Sequence, residues 1–248
     1  MPTDVSIAAF FDQLAEPFTA ESVFDQLPDI VFFIKDIEGR YICVNRTLAE
    51  RCGLPDKAQL LGKKPADVLG PTLGRAYELQ DQRVLSTGQR LVDQLELHLI
   101  RSKDVGWCMT TKVPLHAKDG SIAGLVGISQ DLRLPDITTD DFAHIADAIQ
   151  YAERNLAKRP AIRELAHIAG MSIYQLDRRM RRVFGLTTGQ WILKSRITHA
   201  SAILIDTSLP IAEVALRAGY ADQSSFTRQF RRSTGLAPSE YRKLRKTA

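Results

Sequence analysis

The sequence predicts an α+β domain, a five-stranded antiparallel sheet with helices, followed by an all-α domain. Three observations predict this. Apolar residues alternate with a period of two only between residues 29 and 131, in short runs separated by turn residues. From residue 141 onward the periodicity is helical throughout. Charge divides at the same place. Residues 141–248 carry 18 Lys and Arg against 9 Asp and Glu, a balance of +9, while residues 1–140 carry 15 against 20, a balance of −5.

In chain order, Val5–Leu14 is amphipathic, and residues 1–20 are expected to flank the sheet as a helix. Ile30–Ile34 and Tyr41–Val44 read as two strands joined through Asp36-Ile-Glu-Gly39. A helical stretch follows, including Leu73–Ser86. The third strand, Leu91–Ile100, alternates clearly: Leu95, Leu97 and Leu99 share one face, and Gln94, Glu96 and His98 the other. Val105–Leu115 and Ile122–Ile128 pair across Lys118-Asp119-Gly120, whose Asp-Gly suits a tight turn. The sheet domain is therefore bounded at 21–133. Leu134-Pro135 ends strand pairing and opens a linker, 134–140. Thr138 to Asp141 offer N-caps for a long first helix of the second domain, 141–248.

Composition excludes several classes. At 248 residues the chain accommodates two domains, and 44% apolar and 25% charged residues are globular values. No apolar run reaches the 18 or so residues of a membrane span. The N-terminus, MPTDVSIAAFFDQL, has an acid where a secretory signal has basic residues, so a cytoplasmic location is expected. Cys43, Cys52 and Cys108 are irregularly spaced and form no CxxC pair, which argues against a disulfide framework and a metal site. Neither a Walker loop, a GxGxxG nor a nucleophile motif occurs, so no catalytic residue is assigned and the chain is not expected to be an enzyme.

The basic domain contains a unit twice: AIRELAHIAGMSIYQLDRRMRRVFG, residues 161–185, and PIAEVALRAGYADQSSFTRQFRRSTG, residues 210–235. Each opens with Ile-x-Glu-Leu/Val-Ala, turns at a Gly, continues as a basic helix and stops at another Gly. Ala166 and Gly170 correspond to Ala215 and Gly219, Met180 to Phe230, and Gly185 to Gly235. A small residue lets two helix axes approach, and Gly accepts the turn's positive φ. This is the helix-turn-helix pattern. A single basic helix would usually be a solvated face; the same layout after two Gly turns points to DNA. Between the units, Gln190–Thr207 is one long helix, with Trp191, Ile197, Ala200, Ile203 and Leu204 on its buried side. It would fix the distance between two recognition helices, which read successive major-groove segments about 34 Å apart.

These residues resemble the AraC family of bacterial transcription regulators over about 141–246, through to the terminal Gly235, Pro238, Tyr241 and Arg242. The resemblance implies a monomeric seven-helix DNA-binding domain, with double-stranded DNA as partner and RNA polymerase as a further one. Carried over by position, the first recognition helix is Ser172–Val183, with Ile173, Tyr174, Asp177, Arg178 and Arg181 toward the groove. The second is Asp222–Ser233, with Gln223, Ser224, Thr227 and Arg228. Gln suits adenine and Arg suits guanine N7 and O6. Arg182, Lys194, Arg196, Arg231 and Arg232 are assigned to phosphates. Asp177 would repel phosphate; it either accepts from cytosine N4 or pairs with a neighbouring Arg, and the Arg pairing is favoured.

The run FDQLPDIVFFIKDIEGRYICVN and the later KVPLHAKDGSIAGLVGISQDLR resemble a PAS domain. The resemblance implies a small ligand or cofactor between sheet and helices, or a dimerisation module and hence a homodimer. No reactive Cys motif of a flavin photosensor follows strand two, and no His lies between Arg46 and Arg90 to ligate haem. An unidentified organic ligand is expected, with dimerisation alone as the alternative. Tyr41, Cys43, Trp107 and Met109 are the candidate lining residues, and His98 is expected at the surface. Effector binding or dimerisation would act on DNA binding through the segment Leu132–Asp140.

Overall fold

A computed structural model describes residues 7–101, 104–132 and 134–246. Two short helices, α1 (Ile7–Phe11) and α2 (Glu21–Phe24), precede β1 (Ile30–Asp36) and β2 (Tyr41–Val44). The first residues of the expected Val5–Leu14 helix lie outside the described ones. Then come α3 (Arg46–Arg51), a 3-10 turn at Lys57–Leu60, and α4 (Pro65–Thr87). Strands β3 (Leu91–Arg101), β4 (Asp104–His116) and β5 (Ile122–Asp131) complete a sheet of order β2-β1-β5-β4-β3, antiparallel at every pairing. The expected five-stranded sheet with helices is thus the fold.

Two local devices shape the helical side. Asn45 caps α3 through its side chain, and its amide also bonds the Phe24 and Ile30 carbonyls, tying α2, β1 and α3 together. In α4, Gly70 adopts φ 79° and ψ 167° immediately before Pro71, so the helix bends there. Only Gly takes that backbone without strain.

The second domain holds α5 (Asp140–Ala143), α6 (Ala146–Arg154), a 3-10 turn at Leu156–Lys158, α7 (Ile162–Ile168), α8 (Ile173–Phe184), α9 (Thr188–Asp206), α10 (Ile211–Arg217), α11 (Gln223–Thr234) and α12 (Pro238–Lys246). Thr139 caps as expected, but the helix it starts has one turn, and the chain breaks at Ile145 before α6. Leu176, Met180 and Val183 of α8 join one buried cluster with Trp191 and Ile192. Phe226 and Phe230 of α11 join another with Ile197, Ala200 and Leu204. Helix α9 therefore supplies one half of its length to each cluster and holds the two units at a fixed separation.

The expected lining role of Trp107 and Met109 and the expected surface position of His98 are both reversed. Leu95 belongs to the cluster around α8, Leu97 packs on the cluster around α11, and Trp107 packs on both. The leucine face of β3 thus looks at the helical domain, not at the interior of its own. A second domain covers it, while Glu96 and His98 of the polar face turn toward α4 and Gln94 bonds Arg232 of α11.

Candidate nucleic-acid interface and buried cavity

Each basic helix is built by the same local chemistry. Ser172 accepts from the Gln175 amide and Gln175 returns a bond to the Ser172 amide, closing a capping box at the start of α8. Asp222 accepts from the Ser225 amide at 2.8 Å to start α11. Gly185 and Gly235 end the two helices in the left-handed conformation. Gly170 and Gly219, at φ 64° and 80°, make the turns before them. At Gly219 the space is closed as well: an added Cβ would stand 2.2 Å from the Leu156 carbonyl oxygen.

With their apolar sides buried, both helices present polar faces. On α8, Ile173, Tyr174, Arg178 and Arg181 are exposed, Tyr174 to 75%. On α11, Gln223, Ser224, Arg228 and Arg231 are exposed and Thr227 half-buried. Five sequence-derived candidates are engaged within the protein instead. Asp177 does not pair with an Arg: its carboxylate accepts from the Thr188 amide at 2.8 Å and from the Thr188 hydroxyl, at the start of α9. Arg182 pairs with Asp141 at 3.2 Å, alongside Arg179 at 3.1 Å. Arg196 lies half-buried over the Tyr220 ring, 5.9 Å from its centroid, and burial lowers its pKa. Lys194 is likewise half-buried, with its pKa lowered by burial against the pull of Glu153. Arg232 donates to Gln94 of β3.

Between sheet and helices the first domain encloses a cavity of about 60 Å³. Tyr41 lines it, as expected, with Val31, Phe33, Leu48, Leu73 and Tyr77. The other three expected lining residues do not. Cys43 is buried but donates to Glu21 Oε2 beside α2, and burial pushes its thiol up to about 11. Trp107 and Met109 pack against the helical domain, the indole donating to Thr198 Oγ1 at 3.2 Å. The inward residues of β4 are their neighbours Cys108, Thr110 and Lys112, all buried.

Charge inside the cavity is what the sequence reading missed. Lys35 and Lys112 flank Asp81 of α4 at 2.5 and 2.6 Å, all three nearly inaccessible. Burial alone would raise the Asp81 pKa, but Lys112 and Lys35 outweigh it and hold the carboxyl below its usual range. Burial pushes the Lys35 ammonium down to about 8 against the attraction of Asp81. His98 also lines the cavity rather than the surface, and its Nε2 lies 2.9 Å from Glu96 Oε2. Burial disfavours the imidazolium, yet Cys108 and Glu96 raise the His98 pKa overall. Arg51 bonds Asp131 at 2.7 Å through one terminal nitrogen, while its buried Nη1 has no partner among the described residues. A signal for the lysines existed: Lys35 shares the parity of Val31 and Phe33, and Lys112 that of Cys108 and Thr110.

The chain matches two family descriptions, a helix-turn-helix domain over residues 165–244 and a PAS fold over residues 24–134. It is 31% identical to the HTH-type transcriptional activator AarP of Providencia stuartii over 98 residues, 40% of this chain and 73% of AarP. With the arabinose operon regulatory protein of Salmonella typhimurium it shares 34% identity over 101 residues, 40% of this chain and 36% of that one. The probable transcriptional regulator LumQ of Photobacterium leiognathi is 26% identical over 54% of this chain, which spans 56% of LumQ. Among solved structures, the DNA-binding domain of AdpA in complex with a target DNA aligns at 29% identity, covering 42% of this chain and 93% of that one, with a TM-score of 0.40.

Proposed function

The chain belongs to the AraC family of DNA-binding transcription regulators, and on that premise we propose that it reads a specific duplex sequence under control of a small molecule held in its PAS-like domain. Helices α8 and α11 would enter successive major-groove segments. Arg178, Arg181, Gln223, Ser224 and Arg228 would face bases, and Arg231 a phosphate. The carrying observation is the pair of equivalently capped helices whose apolar sides are locked onto opposite halves of α9 while their Arg and Gln side chains stay exposed.

Control by the cavity is supported by a shared wall. Tyr77 of α4 and His98 of β3 line both the cavity and a cleft beside α11. A molecule that shifts α4 would therefore be felt at the recognition helix. The cavity's polar lining includes the cationic donors Lys35 and Lys112 and the Arg51 Nη1, which has no partner among the described residues, and this suits a compact ligand rich in acceptor oxygens. A homodimer through the N-terminal segment is the second reading, favoured by the exposed Phe10, Phe11, Phe18 and Val23.

Paired variants test base reading. Arg228→Ala should relax preference at one base position, by about 1–3 kcal/mol. Arg231→Ala should weaken binding on all duplexes and lower the salt slope by about 1. Equal loss on every duplex for Arg228→Ala would refute base readout there.

A further inference from the structure

A cleft of about 810 Å³ separates α11 from the first domain. Thr227, Arg228 and Arg231 form its α11 side. Arg83, from the last turns of α4, and Arg90, just before β3, form the facing side. All four arginines are exposed. The ion pairs among the described residues involve none of them. Glu96 also borders the cleft, but it is buried and its carboxylate is bonded to Gln80 and His98.

With Arg232, which bonds Gln94, five guanidinium groups border the space, and the four others repel one another and concentrate an anion. The space is far larger than a single phosphate needs, and its α11 side carries Arg228, proposed to face a base, and Arg231, proposed to hold a phosphate. An occupant continuous with the groove that α11 enters is therefore a nucleic-acid backbone. Nor is the facing wall loosely tethered. Arg232 bonds Gln94 at 2.8 Å, Trp107 bonds Thr198, and a Cβ added at Gly235 would lie 3.0 Å from the Ala76 methyl.

We propose that Arg83 and Arg90 of the PAS-like domain are DNA-backbone contacts, gripping phosphates beside the segment that α11 reads. The inference rests on the reading of α11 as a recognition helix. It makes the first domain part of the DNA interface, so that a shift of α4 would alter contacts with DNA directly.

The test uses the full chain and a duplex obtained by selection from random sequences, with affinity measured across a series of salt concentrations. Each lost phosphate contact lowers the slope of log affinity against log salt by about 0.9. The Arg83→Ala/Arg90→Ala variant should therefore lose affinity and about 1.8 of slope, with base preference unchanged, and Arg83→Lys/Arg90→Lys should restore the slope. Both positions are exposed, so thermal melting should match wild type. An unchanged slope, or tighter binding by the Ala variant, would overturn the inference while leaving base reading by α11 intact. A wild-type chain that selects no duplex would overturn both.

Discussion

The Arg232 guanidinium donates its Nε hydrogen to the Gln94 side-chain oxygen at 2.8 Å, joining α11 to strand β3 of the other domain. The two residues are far apart in sequence, and their contact is one of several that lay the leucine face of the sheet on α9 and α11. Gln190 of α9 reaches the Asp93 carbonyl at 3.5 Å, and the Trp107 indole reaches Thr198. The sheet domain and the helical domain thus share a packed interface.

Trp107→Ala should loosen that interface. The ring packs on the buried clusters around both α8 and α11. Truncating an aromatic of this kind costs about 3 kcal/mol, less here because the ring is only half-buried. Calorimetry should show a single transition in the wild type resolving toward two in the variant. A single transition at the wild-type temperature would show that the ring contributes nothing to the coupling.

Asp81→Asn should be the most destabilising of the charge changes. It leaves the Lys35 and Lys112 ammonium groups buried without a counter-charge, a loss of about 3–5 kcal/mol. In the wild type, the folded Asp81 carboxyl titrates below the unfolded-state value near 3.8. Its contribution to stability is complete above that value and is lost as pH falls through the folded-state pKa. Thermal melts should show wild-type stability falling in acid more steeply than that of Asp81→Asn, and parallel curves would contradict this.

The repeat and the two hairpins were legible because both are local patterns: a period of 3.6 after a Gly turn, and strands joined by recognisable turns. The facing of β3 was not. Alternation says that Leu95 and Leu97 share a side but not which side is inside, and the second domain supplies the cover that decides it. The same cause misplaced Trp107, Met109 and His98. For the Lys35-Asp81-Lys112 cluster, parity hinted that both lysines turn inward, but their meeting with Asp81 was illegible, since the three come from β1, β4 and α4 and meet only in the folded domain.

The two turn glycines should separate by experiment, although they occupy equivalent positions. Gly170→Ala meets no atom within 4 Å and should cost about 1–2 kcal/mol of left-handed backbone strain. Gly219→Ala adds the collision with the Leu156 carbonyl and should cost roughly twice as much or more. Equal denaturation midpoints would show that the Leu156 turn yields freely.

Asp177→Ala should act on stability and not on base preference. Removing the acceptor of the Thr188 amide and hydroxyl should cost about 1–2 kcal/mol. A changed preference at one base pair, with melting unaltered, would return Asp177 to the reading face.

Two base-reading helices held by one rigid α9 are the centre of the account. Its most direct test is selection of bound duplexes from a random pool by the full chain. The account predicts two preferred segments about 10–10.5 base pairs apart, centre to centre, at a fixed spacing. Arg228→Ala should relax one segment and Arg178→Ala the other. Recovery of a pool without sequence preference, or of segments at variable spacing, would contradict it.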